Sequence, residues 1–139
     1  MPSPALNKKL LLIGASRGLG FALAEEYLKR GWDIVATERA ANPSGLHKLA
    51  EACPGRLEIE TIDIVHPDQV TALHTRLVSR KFDMLFVNAG VTNADHETAA
   101  DVSTDEFVRV MVTNALSPMR VIEVLRDLVV PHGTIGIMS

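Results

Sequence analysis

Short apolar runs alternate along the chain with longer stretches in which apolar residues recur at helical spacing. The apolar runs predict strands at 9–13, 32–37, 57–60, 84–87 and 134–138. The stretches between them predict helices at 19–28, 46–53, 67–77 and 103–128. Strands and helices that alternate in this way form a parallel sheet with helices on both faces and right-handed crossovers. We therefore expect an α/β, doubly wound domain with strand order 3-2-1-4-5.

The same pattern indicates where individual elements lie. Strand 57–60 alternates apolar and charged residues, which is typical of a strand at the sheet edge, whereas strand 84–87 is wholly apolar and suits the sheet centre. The helix 103–128 opens with Ser103 and Glu106 as a capping box and is apolar over most of its circumference. One sheet face cannot cover so much apolar surface. We expect this helix to contact a second partner, either another part of the chain or another subunit.

The composition narrows the class of protein to which this chain can belong. The 139 residues include 14 basic and 17 acidic side chains, for a net charge of −3, and 47% are apolar. These values predict one folded domain over residues 1–139. No binding of nucleic acid is expected, because no run of basic residues is longer than two. Cys53 is the only cysteine, which favours a reducing cytoplasm. No segment approaches the ~18 apolar residues of a membrane span, so no membrane partner is expected.

The turn after the first strand carries the most informative motif. It reads Gly14-Ala15-Ser16-Arg17-Gly18-Leu19-Gly20. Glycines at these positions allow a tight turn, and the following helix directs its free N–H groups and positive dipole end at the same place. Ligands of a doubly wound domain bind at this switch point. The diphosphate of a dinucleotide is therefore expected against residues 14–20, contacted by Gly14, Ser16, Arg17, Gly18, Leu19 and Gly20. The alternative is a close strand-to-helix turn without a ligand.

Four features in order along the chain resemble the short-chain dehydrogenase/reductase family. They are the G-x-x-x-G-x-G spacing of residues 14–20, then Asp63-Ile64, Asn88-Ala89-Gly90 and Asn114. The resemblance implies a Rossmann-type NAD(P)-binding domain and hydride transfer between nicotinamide and a small carbonyl or alcohol substrate. It also implies that Asp63 and the Ile64 amide hold the adenine edge. Asn88, Ala89 and Gly90 would form the wall beside the cofactor, Asn88 partly as a structural brace. The alternative for these residues is a pair of ordinary polar turns.

Three charged residues bear on the choice of coenzyme. Glu38 ends the second strand 18 residues after Gly20, where an acidic residue accepts the ribose 2′-OH of NAD. Arg39 and Arg17 stand where a 2′-phosphate would lie. NADP-using members of the family commonly carry basic residues at these two places, so the resemblance favours NADP(H) slightly over NAD(H). The alternative for either arginine is a solvated surface position.

Asn114 and Ser139 are the candidate catalytic residues. Pro118 lacks the N–H that would bond the Asn114 carbonyl, so we expect a free carbonyl and a bend in the helix. In the resembling family this carbonyl holds a water of the proton relay. The alternative is a kinked helix with a satisfied buried amide. Ser139 falls where the family ends strand five with a serine. It is either the substrate-orienting serine or, as we favour, the residue just before it.

The tyrosine and lysine of the family's Tyr-x-x-x-Lys pair are missing from this chain. Its only tyrosine, Tyr27, lies on the first helix and is followed four residues later by Gly31. A bare fifth strand would also leave the sheet edge uncovered. We therefore expect the chain to be the N-terminal part of a longer enzyme, with catalysis completed by residues beyond 139 and the chain alone inactive. The alternative is a non-catalytic dinucleotide-binding sensor or interaction module.

Two further expectations concern partners and metals. Members of the resembling family often pair the long helix across a dimer interface, so a homo-oligomer through residues 104–128 is expected. The adjacent acidic and histidine residues at 95–97 have no partner at ligand spacing, so no metal site is expected there.

Overall fold

The computed structural model describes residues 6–39, 45–88 and 102–138. The strands are β1 (Lys9–Ile13), β2 (Asp33–Glu38), β3 (Leu57–Thr61), β4 (Phe82–Val87) and β5 (Val129–Ile137). The helices are α1 (Gly18–Lys29), α2 (Gly45–Ala52), α3 (Pro67–Leu77), α4 (Thr104–Met111) and α5 (Ser117–Leu125). A π-helical turn, Val112–Leu116, joins α4 to α5, and a 3-10 turn, Arg126–Leu128, leads into β5.

The strands form one parallel sheet in the order β3-β2-β1-β4-β5. The doubly wound fold expected from the sequence is confirmed, and so are the edge position of β3 and the inner position of β4. β1 lies at the centre of the sheet, with Leu11 paired to Val35 on one side and to Leu85 on the other. The chain continues from β1 to β2 in one direction along the sheet and from β4 to β5 in the other. This reversal creates the switch point at the carboxyl ends of the strands.

Alternate residues of β1 enter two separate cores. Leu11 and Ile13 pack on the face covered by α3 and α5, whereas Leu10 and Leu12 pack on the face covered by α1 and α2. All four side chains are buried. Each contributes about 1.5–3 kcal/mol relative to an exposed position. The glycine turn is therefore attached to a strand that is buried on both faces.

The buried face of α1 begins with small residues, and the larger apolar residue beside them lies outside it. Its buried residues are Gly20, Ala24 and Leu28, whereas Leu19 is exposed. The reason is steric, because a Cβ on Gly20 would lie only 1.9 Å from the Gly14 carbonyl oxygen. A residue without a side chain is therefore required there, while Phe21, Leu23 and Tyr27 pack partly buried against the same core.

The long helix is interrupted where the sequence predicts a bend. The Ser103 cap is present, with the Glu106 N–H donating to Ser103 Oγ at 3.1 Å. In the π-helical turn the Ser117 N–H donates to the carbonyl of Val112, five residues earlier, and Pro118 follows directly. Proline and π-helical turns are both known causes of helix bending. The interruption of the long helix around Asn114 is thus a π-helical turn.

Burial along this helix is uneven. In α5 the side chains of Val121 and Leu125 are buried against the sheet, whereas α4 has no buried residue. The apolar side chains of α4 are open to solvent, with Phe107 55% and Met111 48% exposed. Among the described residues, the apolar surface that a second partner could cover thus includes Phe107 and Met111 of α4 and not the buried side of α5.

β5 begins earlier than the sequence predicts. The segment 131–133, which lies between the predicted helix 103–128 and the predicted strand 134–138, is part of β5. The register explains this, since Phe82 pairs with Val129 while Met84 pairs with Thr134. The extra residues form a bulge, and a proline is tolerated at a bulge on a strand at the sheet edge.

Candidate functional site

The glycine turn lies at the carboxyl end of β1, beside the ends of β2 and β4. Gly14 has φ +90° and Gly18 has φ +61°, values in the left-handed region that disfavours other residues. Gly20 is held so close to Gly14 that no side chain fits between them. Each of the three glycines is thus required by a conformation or a contact, and the sequence motif corresponds to a tightly constrained turn.

The N-terminus of α1 is open on the outer side of this turn. Arg17 is the N-cap residue, it has extended backbone, and no side chain caps the helix there. Ser16, Arg17, Gly18 and Leu19 are all exposed. An uncapped helix N-terminus presents N–H donors and a positive partial charge. The arrangement can stabilise a phosphate or another anion.

Two side chains hold the turn from beneath. The hydroxyl of Thr37, at the end of β2, accepts the Gly14 N–H at 3.0 Å, and the Thr37 carbonyl accepts the Ala15 N–H at 2.9 Å. From β4, the Asn88 amide donates to the Gly14 carbonyl at 3.3 Å. Thr37 was missed by sequence reasoning. Its signal was a hydroxyl residue directly after the apolar run at 34–36.

Thr37→Val should lower the free energy of unfolding by about 1–3 kcal/mol, because the nearly isosteric side chain leaves the Gly14 N–H without its acceptor. Chemical denaturation monitored by the fluorescence of Trp32 measures the change. Thr37→Ser keeps the hydroxyl and should recover most of the stability. Equal stabilities for the valine and serine variants would contradict this role.

Glu38 and Arg39, which follow Thr37, face different surroundings. The Glu38 side chain is only 2% exposed, and its Oε1 lies 2.7 Å from Nε2 of His47 in the first turn of α2. Arg39 is exposed, as is Arg17 in the glycine turn. The structure thus leaves the two arginines open to solvent and directs the carboxylate toward α2. His47 had no signal in the sequence, because its contact with Glu38 depends on how α2 packs.

Asp63 and Ile64 follow β3 at the same edge of the sheet. Asp63 Oδ1 accepts the Val65 N–H at 3.2 Å, and the Asp63 N–H donates to Gln69 Oε1 at 2.8 Å. The side chain of Ile64 is buried in the core. Asp63 therefore organises the turn before α3 while its carboxylate remains partly exposed.

Of the remaining candidate residues, Asn114 lies within the described part of the chain and the others do not. Asn114 lies in the π-helical turn, is exposed and has an interaction partner, so the alternative of a buried amide is wrong, while the free main-chain carbonyl stays a prediction. Ala89, Gly90, Ser139 and the segment 95–97 lie outside the described residues. Among the residues that are described, no group of three His, Cys, Asp or Glu side chains could hold a metal. In those same ranges no helix is long and apolar enough to cross a membrane.

A small cavity of about 180 Å³ lies at the opposite edge of the sheet, near the amino ends of β1 and β4. Its arginines are already engaged, Arg56 with Asp33 at 3.3 Å and Arg80 with Glu58 at 2.6 Å. The open backbone donors and the exposed arginines lie instead where the parallel strands have their carboxyl ends, which we call the carboxyl edge. The carboxyl edge is therefore the candidate site.

Comparisons with known proteins match this chain to a family model and to solved structures. The family model described as short chain dehydrogenase matches residues 8–136. A Burkholderia multivorans protein assigned to the short-chain dehydrogenase/reductases, solved with bound NADP, is 60% identical and superposes with a TM-score of 0.92. The alignment covers 96% of this chain and 59% of that one. A carbonyl reductase from Pseudomonas aeruginosa in complex with NADP is 33% identical over 95% of this chain and 60% of that one, with a TM-score of 0.89.

Curated relatives are more distant and considerably longer. Protein FixR from Bradyrhizobium diazoefficiens is 30% identical over 86% of this chain. The 1-hydroxy-2-glutathionyl-2-methyl-3-butene dehydrogenase of a Rhodococcus species is 28% identical over 94% of it. The chain spans 45% of the first and 55% of the second, or about half of the relatives it matches.

Proposed function

Because this chain belongs to the short-chain dehydrogenase family, we propose that it forms the coenzyme-binding part of an NAD(P)-dependent oxidoreductase. The enzyme would transfer a hydride between the nicotinamide ring and a small carbonyl or alcohol substrate. The observation that carries the proposal is the uncapped N-terminus of α1 beside the glycine turn. Nicotinamide dinucleotide binding is further supported by the relatives that bind NADP.

We assign the binding roles by position along the carboxyl edge. The backbone of residues 14–20 would hold the diphosphate, and Asp63 with the Ile64 amide would hold the adenine. Asn88, with Ala89 and Gly90, would form the wall beside the coenzyme. When bound, the coenzyme supplies the carbon that gives or accepts the hydride. Asn114 and Ser139 stay proposed catalytic residues, with Asn114 in the helix beside the site and catalysis completed by residues beyond 139.

NADP(H) is the coenzyme we favour. Arg17 and Arg39 are exposed near the end of β2, where two guanidinium groups could pair with a 2′-phosphate. The Glu38 carboxylate, which would otherwise repel that phosphate, is directed toward His47. Both observations agree with the NADP found in two solved relatives.

Replacing Arg17 and Arg39 together by alanine should weaken NADPH binding by roughly 10–100-fold, because charge-assisted hydrogen bonds to the phosphate are lost. NADH affinity should change little, since NADH has no 2′-phosphate. Titration of the full-length protein, followed by energy transfer from Trp32 to the reduced coenzyme, measures both affinities. Lys29→Ala with Arg30→Ala removes the same charge from the far end of α1 and serves as the control. An unchanged NADPH affinity would contradict the preference for NADP(H).

The alternative function is a non-catalytic sensor or interaction module that binds the dinucleotide. It is favoured by the position of Tyr27 on α1, where no lysine follows at the family's spacing. Such a protein would bind NADPH saturably yet oxidise none in the presence of carbonyl substrates. Turnover by the full-length protein would exclude this alternative.

We also propose that the protein forms a homo-oligomer through the helix at 104–128. The support is the row of exposed apolar side chains on α4, which the described part of the chain leaves uncovered.

A further inference from the structure

Glu38 carries a carboxylate at a place where its charge is largely removed from water. Its side chain is 2% exposed, and it ends the strand that leads to the candidate site. A carboxylate in such surroundings needs hydrogen-bond donors to remain charged. An ionised carboxylate only accepts hydrogen bonds, so in its ionised form Glu38 accepts the Nε2–H of His47 in their 2.7 Å contact.

The position of His47 is set by the residues on either side of it. Leu46 is fully buried in the core between the sheet and the helices. Gly45 lies against the ring of Phe21 on α1, so close that a Cβ there would be 3.1 Å from the ring. The first turn of α2 is thus anchored at two points, and the histidine ring is held over the end of β2 while 42% of it remains exposed.

This contact bears on coenzyme choice because of what Glu38 would otherwise do. An acidic residue at the end of the second strand selects NAD by accepting the ribose 2′-OH, and its charge repels the 2′-phosphate of NADP. A carboxylate bound to α2 is less able to do either. The neighbouring Arg39 remains exposed and can pair with a phosphate.

We propose that His47 is a specificity-determining residue, which favours NADP(H) by holding the Glu38 carboxylate against α2. This inference rests on the proposed function, since it presupposes that the carboxyl edge binds the adenosine ribose. Loss of the histidine donor would weaken the hold of α2 on the Glu38 carboxylate, so that it turns more often toward the ribose, where it would accept the 2′-OH of NADH and repel the phosphate of NADPH.

The test measures dissociation constants of NADPH and NADH for the full-length protein and its variants. His47→Met keeps the bulk of the side chain but cannot donate a hydrogen bond, and it should shift the NADPH-to-NADH preference toward NADH by about tenfold or more. His47→Gln can still donate to Glu38 and should restore the wild-type ratio. His74→Ala, which breaks a histidine contact with Asp127 instead, is the matched control and should leave the ratio unchanged.

Making the same substitution in a Glu38→Gln protein separates a role of His47 in coenzyme specificity from a purely structural role. In a Glu38→Gln protein the charge is gone, so adding His47→Met should no longer move the ratio. If His47→Met weakens both coenzymes equally, or changes neither, His47 only fixes α2 and the inference is wrong. Wild-type protein that binds neither coenzyme would overturn the proposed function and this inference with it. An unchanged ratio in a protein that binds NADPH overturns the inference alone.

Discussion

Gly20→Ala is expected to weaken coenzyme binding strongly and to destabilise the domain. The added methyl group would lie 1.9 Å from the Gly14 carbonyl oxygen and 2.7 Å from the Asn88 amide nitrogen. Since the first of these atoms is backbone, α1 must move away from β1. We expect a loss of about 3 kcal/mol or more in the free energy of unfolding. Displacing the helix N-terminus by about 1 Å should weaken NADPH binding on the order of 100-fold.

The control for this prediction is Gly31→Ala at the other end of the same helix. Gly31 has φ +88° and open space around its Cα, so alanine there strains the backbone without creating a clash. That variant should lose about 1–2 kcal/mol of stability and keep its coenzyme affinity. Denaturation curves and NADPH titrations on the two variants separate folding from binding. A Gly20→Ala protein that binds NADPH as tightly as Gly31→Ala would show that residues 14–20 are not the diphosphate site.

The parts of the fold that depend on local patterns were predictable from the sequence. Apolar runs located the strands, and the uninterrupted run at 84–87 indicated an inner strand because both of its faces had to be covered. The glycine spacing predicted a close turn, and the structure adds the reason for the third glycine. The bounds of β5 were missed, because a bulge can include a proline and a glycine that otherwise indicate a turn.

The contacts that tune the site were not predictable, since they join residues from different elements. Thr37 accepts the Gly14 N–H only because β2 pairs with β1 in one register. Glu38 meets His47 only because α2 packs with Leu46 inward. Spacing along the chain indicated an acidic residue at the correct distance from the glycines, but it could not indicate which way the carboxylate points. Side-chain direction at the end of a strand is decided by tertiary packing.

Met111→Asp is expected to convert the proposed homo-oligomer into monomers. Met111 and Phe107 lie on α4, half exposed, and no residue of α4 is buried within the described chain. A two-fold interface would contain the substitution twice, so two unpaired carboxylates would be desolvated on association. Each desolvated carboxylate costs roughly 2 kcal/mol or more, so the dissociation constant of the oligomer should rise by about 1000-fold or more. Sedimentation or light scattering on the full-length protein measures the change in mass.

Val78→Asp provides the control, because it places the same charge on another exposed apolar residue, at the end of α3, and should leave the mass unchanged. Equal masses for Met111→Asp and wild type would show that α4 is not the interface. Assembly and the site should also be linked, because α4 runs directly into the π-helical turn that carries Asn114. A partner packed on α4 would restrain that turn. Activity of the full-length Met111→Asp protein should therefore fall together with its mass, whereas Val78→Asp should retain both.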